Sequence, residues 1–397
     1  MDTSKRLTCR SCGSVRLTPV INLGNQRLSD FRDDDITPPA FPLAVAACDD
    51  CTLAQLTVTT PRDLLYHDRY GFKSGVNATV RADLRDIVRQ ALAHKPDPDS
   101  WLDIACNDGT LLSNVPKRVY RAGVDAVDFL ATEAEQHADR VVHGYFTASD
   151  FATTFDVITS ISMFYDLDDP NRFVAEVAEL LRRDGVWVIQ QNYWTATLRL
   201  GAVDNICHEH VTYFSLRSLE ALLDRHGLEV FHVEASTMNG GSLRTLVCHQ
   251  GRYPRSVSVP EEDVADLTAS FGARAWANLG ALEDLISRLV DEDDATVYVY
   301  GASTRGQTIL QAAGIDSVLV RYAVDRNPAK VGKRIASTGM EIISEEQARA
   351  ERPDYMLVLP WFFRAEFIER EADYLRAGGR LIFPLPEVEI VGAEALA

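Results

Sequence analysis

The chain lacks any run of about 18 consecutive apolar residues, so no membrane-spanning helix is expected. It also lacks a basic cluster. With 40 Lys and Arg against 58 Asp and Glu, the formal net charge is −18. Electrostatic binding to nucleic acid or to an anionic membrane is therefore excluded, although a local loop can still bind a phosphate-bearing small molecule. The opening residues Met1-Asp2-Thr3-Ser4-Lys5-Arg6 carry no apolar core of a secretory signal, so a cytoplasmic location is expected. The dinucleotide fingerprint G-x-G-x-x-G is missing from the loop where it would be sought, residues 105–110, whose one glycine is Gly109. At 397 residues the chain is too long for one ordinary domain.

Cysteine is scarce but unevenly placed. Of seven, Cys9 and Cys12 form one C-x2-C pair and Cys48 and Cys51 another, each followed by turn-compatible residues. Four thiolates are the tetrahedral ligand set of structural zinc. The alternatives are four free thiols or two disulfides, which a reducing compartment disfavours. The connection between the pairs exceeds the usual ribbon spacing of about 15–20 residues, so a small subdomain must fill it. A closed four-sulfur site has no open position for chemistry; such a metal holds a fold.

Beyond the cysteine region the pattern changes. Val80, Leu84, Ile87, Val88, Ala91 and Leu92 recur at helical spacing over residues 77–94. After Pro96 and Pro98 comes a short strand from Trp101, a turn of small and polar residues, and an expected helix start near Leu111. Strands then read at 120–125, 155–161 and 185–190, with a helix at 172–183. Strands alternating with helices predict a doubly wound, largely parallel α/β sheet. Such sheets bind ligands at their strand ends. Asp103, the backbone of Cys106, Asn107, Asp108 and Gly109, and Asp125 at the end of the second strand are thus candidate contacts for an amino-acid portion and a ribose. Ser162 and Met163, just past the third strand, join them. With the G-x-G-x-x-G pattern absent, a cofactor without a pyrophosphate is favoured over NAD, namely S-adenosylmethionine.

Within Asp204-Asn205-Ile206-Cys207-His208-Glu209-His210-Val211-Thr212-Tyr213-Phe214, two imidazoles flank a carboxylate. Neutral imidazole suits proton abstraction near neutral pH, which makes His208, Glu209 and His210 candidates for that work. A His-rich turn without catalytic consequence is the alternative.

LDIACNDGTLL, FDVITSISMFYDLDDP, DNICHEHVTYFSL and MNGGSLRTLV, together with the cysteine pairs, resemble in order the motifs of the deoxysugar C-methyltransferase family. The likeness spans essentially the whole chain. It implies a zinc-binding domain (1–68), a class I methyltransferase domain (69–250) and a Rossmann-like α/β domain (251–397) that helps hold a sugar nucleotide. It implies methylation by S-adenosylmethionine of a carbon beside the ketone of a nucleotide-linked sugar. His210 matches the family's general base and Glu209 its active-site carboxylate. The chain departs from the family at Cys207, where a Tyr is common, at Asp166, where a His is common, and at Phe72, where a second Tyr is common. Tyr70 keeps one phenol of that pair, as a polar contact or as a packed aromatic. Another sugar, or an oxygen or nitrogen acceptor, is consistent with these departures.

The remaining chain predicts an amphipathic helix over 259–292, a strand at 295–300 leading into Gly301-Ala302-Ser303-Thr304-Arg305-Gly306, and strands near 322–325, 356–360 and 380–383. The plan looks like a second α/β unit without detectable sequence repetition. Backbone amides at such a loop favour an anion. Ser303 and Arg305 are accordingly candidate diphosphate contacts, unless the loop is a Rossmann turn binding nothing. Asn239, Ser242 and Arg244, in a second polar glycine-rich turn, are candidate sugar contacts. A nicotinamide-dependent oxidoreductase and a non-catalytic sugar-nucleotide binder remain as rival readings. Oligomeric state is not legible.

Overall fold

The computed structural model describes residues 5–67, 70–257 and 264–396. The expected boundary at 68/69 and the start of the helix expected from 259 lie outside the described residues.

Three sheets organise the described residues. The first is antiparallel: Leu17–Arg27, Ala40–Cys48, Ala54–Leu56 and, at its edge, Thr212–Tyr213. That last strand comes from the His-Glu-His segment, with Thr212 opposite Gln55 and Tyr213 opposite Ala54. The cysteine region is thereby stitched to the candidate site.

The second sheet has seven strands in the order 228–236, 242–249, 181–192, 155–161, 100–104, 120–125, 140–143. The five on the 140–143 side run parallel; 242–249 runs against them, and 228–236, paired antiparallel to it, runs with the five. Ser100–Ile104 is buried at every position, as expected of a strand covered on both faces. The chain leaves this central strand toward one edge and returns beside it at Phe155–Ile161. Their carboxyl ends form the crevice where doubly wound sheets take ligands.

The helix expected after the first strand of this sheet does not form. A single 3-10 turn, Leu112–Asn114, stands there. The Asp108 carboxylate accepts from the Thr110 backbone and hydroxyl, while Ser113 and Asn114 side chains both donate to the Thr110 carbonyl. Such local bonds compete with a helical ladder, and Pro116 pushes Val115 into extended backbone. The helix expected at 172–183 spans Pro170–Leu180. Its start is set by Asp169, which accepts from the Arg172 amide, and by Pro170 in the first turn.

The third sheet has a parallel core of Arg380–Phe383, Tyr355–Val358, Val297–Tyr300, Tyr322–Val324 and Met340–Ile343. Phe31–Arg32, from the cysteine region far upstream, extends it by pairing with Arg334–Ile335. The helix Val264–Asp291 lies against the first sheet. A Cβ at Gly272 would stand 2.5 Å from the Val20 carbonyl oxygen, so only glycine permits this approach. One apolar core therefore runs from Ile21 and Val45 through Trp194 and Phe271 to the third sheet. Among the described residues no helix is long and apolar enough to cross a membrane.

Candidate active site

Two loops at the carboxyl ends of the central strands adopt left-handed backbone: Ala105 (φ 60°), Asn107 (φ 52°) and Ser162 (φ 55°). That conformation is costly for non-glycine residues, and such strain clusters at functional sites. Here it turns the Asn107 amide onto the Asp125 carboxylate at 2.8 Å; the other Asp125 oxygen accepts from Val127 at 2.9 Å. Burial holds Asp125 above the usual carboxylate range. Asp125, Asn107, Ser162 and Met163 line a cavity of about 140 Å³ together with Tyr66, Tyr70 and Asp166. A narrower extension is lined by Asp103, Cys106, Asn107, Asp83 and Gln190. Asp103 accepts from the Thr159 hydroxyl at 2.6 Å, and burial pushes its carboxyl up to about 7.

A second cavity, of about 290 Å³, lies between the second and third sheets. Its walls carry Glu209 and His210 from one side and Ser303, Arg305 and Lys330 from the other. His210 is buried, with its ring centroid 4.2 Å from that of Tyr165. Its Nδ1 lies 2.8 Å from the Asn205 carbonyl oxygen. A carbonyl only accepts, so Nδ1 carries the proton and Nε2 is left with its lone pair. Burial and then the Arg305 charge push the imidazole down to about 3, so it is neutral at physiological pH. Asn205 is itself fixed, accepting from Asn192 and donating to Thr197. Arg305 is held by Asp204 at 2.6 Å and by the Asn239 carbonyl, with its guanidinium 4.9 Å from the Phe362 ring centre. Tyr70, Phe72, Ser162 and Asp166 line both cavities, which places their junction at these four side chains.

Three family models match the chain in series: a zinc binding domain over residues 9–66, a methyltransferase domain over 76–233 and a C-methyltransferase C-terminal domain over 237–386. The C-methyltransferase NovU of Streptomyces niveus is 29% identical over 410 residues, covering 98% of this chain and 97% of that protein. The chain is an S-adenosylmethionine-dependent methyltransferase, homologous to a C-methyltransferase. Its second sheet is the class I methyltransferase sheet. Solved structures similar to part of it include a methyltransferase from Clostridium acetobutylicum (17% identity, 44% of this chain, 93% of that one, TM-score 0.36). The magnesium protoporphyrin IX methyltransferase of Synechocystis is another (11% identity, 43% and 79%, TM-score 0.35).

In this methyltransferase the Sγ atoms of Cys9, Cys12, Cys48 and Cys51 lie within 4.8 Å of one another. The contacts Cys9–Cys51 at 3.4 Å and Cys12–Cys48 at 3.5 Å are far longer than a disulfide of about 2.05 Å. They are close to the edge of about 3.8 Å that a tetrahedron with zinc–sulfur arms of about 2.3 Å requires. The four thiols fit structural zinc.

Several expected site residues lie elsewhere in the enzyme. Arg244 does not reach the second cavity: its guanidinium bonds Asp83, Asp86 and Gln190. Strand register explains this, since Arg244 stands opposite Gln190 with its side chain toward the 78–94 helix. The Ser242 hydroxyl closes its own turn onto the Met238 carbonyl, whereas Asn239 lines the cavity. His208 docks on the Phe41 carbonyl at 3.3 Å and lines neither cavity; burial pushes it down to about 4. Asp108 holds the Gly75 amide rather than facing ligand space, and Gly109 packs on Ala134, where a Cβ would come within 2.9 Å of the Ala134 Cα. Conversely, sequence reasoning missed Tyr66, Asn192, Asp204, Asn205 and Lys330. Asp204 and Asn205 stand inside the quoted His-Glu-His motif and could have been noticed; Lys330 carries no local signal.

Two expected outcomes arise here. Asp125→Ala should weaken S-adenosylmethionine about 10–100-fold in a calorimetric titration, as expected for lost hydrogen bonds to a charged acceptor, with zinc content unaltered. Equal affinities would make Asp125 a brace for its own loop. Asp103→Asn should change stability with pH. The folded carboxyl titrates near 7, above its unfolded value of about 3.9. Between these values the folded state binds more protons, so stability is lost as pH rises through the window. The ligand-free Asn variant should therefore gain on wild type, by on the order of a few kcal/mol, at pH 8 but not at pH 4. Parallel melting shifts at both values would contradict this.

Proposed function

We propose that the enzyme methylates a carbon adjacent to the ketone of a nucleotide-linked ketodeoxysugar, through an enolate that His210 generates. The observation that carries this reading is the His210 imidazole: buried, neutral and fixed through Nδ1 to the Asn205 carbonyl, which leaves the Nε2 lone pair for the acceptor cavity. A ketone acidifies its neighbouring C–H, and a positioned imidazole takes that proton. Glu209 stands beside it in the same cavity, held above the usual carboxylate range by burial, and is assigned to positioning the sugar. Ser303, Arg305 and Lys330 supply the polar and cationic wall that a diphosphate requires.

Bound S-adenosylmethionine supplies an electrophilic methyl group. On this reading Asp125 would hold its ribose, the loop from Cys106 to Gly109 would back it, and Asp103 would face its amino-acid end. Ser162 and Met163 would separate it from the sugar. The domains are assigned as 1–68 for zinc, 69–250 for methyl transfer and 251–397 for the nucleotide. The four reduced thiols suit the cytoplasm.

The test is hydrogen exchange at the carbons flanking the ketone. Wild-type enzyme in deuterium oxide should exchange them in a thymidine-diphosphate-linked 4-ketodeoxysugar, followed by NMR. Methyl transfer without any exchange would shift the assignment to an oxygen or nitrogen acceptor.

A further inference from the structure

An enolate needs a donor at its oxygen as well as a base at its carbon, and the two cavities meet at a group suited to that part. Asp166 ends the short turn Phe164–Asp166 just beyond the strand Phe155–Ile161 of the class I sheet. Its neighbour Tyr165 packs on the His210 ring, so the base and this carboxyl are set from the same turn. The Tyr66 hydroxyl donates to Asp166 Oδ2 at 2.9 Å. Oδ1 is shielded from water and has no hydrogen-bond partner among the described residues, although the side chain lines both cavities. An ionised carboxylate with an orphaned, desolvated oxygen is costly. A carboxylic acid with its proton on Oδ1 instead needs an acceptor at that oxygen, and the described residues provide none.

We propose that the carboxyl group of Asp166 donates a hydrogen bond from Oδ1 to the carbonyl oxygen of the acceptor and stabilises the enolate formed there. This inference rests on the ketosugar reading above. Among the described residues the groups facing Asp166 are Arg62, Tyr66 and Tyr70 on one side, Tyr165 on its own turn, and Cys207, Glu209 and Tyr213 on the other. Arg62 alone among them is a cation. Burial, with the Glu209 charge added, holds the Asp166 carboxyl well above the usual range. A carboxylic acid kept neutral in an apolar site is a known form of oxyanion donor.

The C–H bond beside the ketone breaks, its proton passes to His210 Nε2, and the electron pair becomes the C=C of the enolate. The charge on oxygen is met by the Asp166 hydrogen. The enolate carbon then bonds to the methyl group as the carbon–sulfur bond breaks, the pair staying on sulfur. The C=O re-forms, the acid hydrogen stays on Asp166, and His210 returns its proton to water.

The experiment uses the full chain and the thymidine-diphosphate-linked 4-ketodeoxysugar, with deuterium uptake at the flanking carbons followed by NMR in wild type, Asp166→Ala and Asp166→Asn. Loss of one such donor costs about 10²–10³-fold, so the Ala variant should exchange that much more slowly. The Asn variant, whose amide N–H can still donate, should lie within about tenfold of wild type. In wild type, exchange should fall at high pH as Asp166 ionises; in Asp166→Asn that limb should vanish. Independently of any sugar, the infrared difference between wild type and Asp166→Asn at pH 7 should contain a carboxylic-acid C=O band. Equal exchange by wild type and Asp166→Ala overturns the proposal, as does an ionised Asp166 at pH 7. A rate that rises as Asp166 ionises makes it a base instead and overturns the proposal too. If wild type itself exchanges nothing, the ketosugar reading falls first, which distinguishes that failure from this one.

Discussion

His210→Ala should lower methyl transfer by about 10²–10⁴-fold, the usual contribution of a positioned base, while leaving S-adenosylmethionine affinity nearly intact. The imidazole belongs to the acceptor cavity and is absent from the walls of the cavity holding Asp125. Deuterium exchange at the carbons flanking the ketone should fall in parallel. The pH profile gives a second readout. In the free enzyme, burial and the Arg305 cation keep the imidazole neutral down to about pH 3. The acid limb of kcat/KM should therefore lie well below the ordinary imidazole value of about 6.5. An anionic substrate that neutralises Arg305 removes part of that depression, so the acid limb of kcat, which reports the bound state, should lie higher. Exchange at the wild-type rate in His210→Ala would show that another group is the base, and Asp166 would then be the first candidate.

Loss of the zinc site should have the largest effect on stability. Elemental analysis is expected to find about one zinc per chain. Structural zinc in small domains is worth on the order of 10 kcal/mol of folding free energy, so Cys9→Ser or Cys12→Ser should unfold the 9–66 region in a thermal melt and expose it to protease. Activity should fall as a consequence, through two connections. Thr212–Tyr213 completes the sheet of the cysteine region just beyond His210. Arg10, next to the ligand Cys9, is buried and bonds the Leu56 carbonyl, Thr59 and Asp168, two residues from Asp166. Metal-free protein with an unchanged melting temperature would refute the assignment.

The cysteine pairs, the alternating strands and helices, and the His-Glu-His segment were legible in the sequence because each rests on local chemistry. Paired thiols at short spacing read as ligands, apolar periodicity sets which face is buried, and a strand ending in an acid reads the same way in any doubly wound sheet. The helix expected from Leu111 fails to form for an equally local reason. Side-chain bonds to the Thr110 carbonyl and the effect of Pro116 outweigh the apolar spacing there.

Tertiary structure alone decided how the site is assembled. Asp204 meets Arg305 only once the second and third sheets have docked, and Asn205 meets Asn192 and His210 only once the segment beyond the 181–192 strand folds back onto that strand's end. The Arg244 guanidinium is taken by Asp83 and Asp86 because strand register points it at the 78–94 helix. His208 and His210, neighbours in one short motif, part company in the same way: one reaches the Phe41 carbonyl of the first sheet, the other faces the acceptor cavity. Apolar patterning specifies elements because burial acts residue by residue. The ion pair of Asp204 with Arg305 joins residues 101 positions apart, and its geometry depends on how whole sheets pack, which no local pattern encodes.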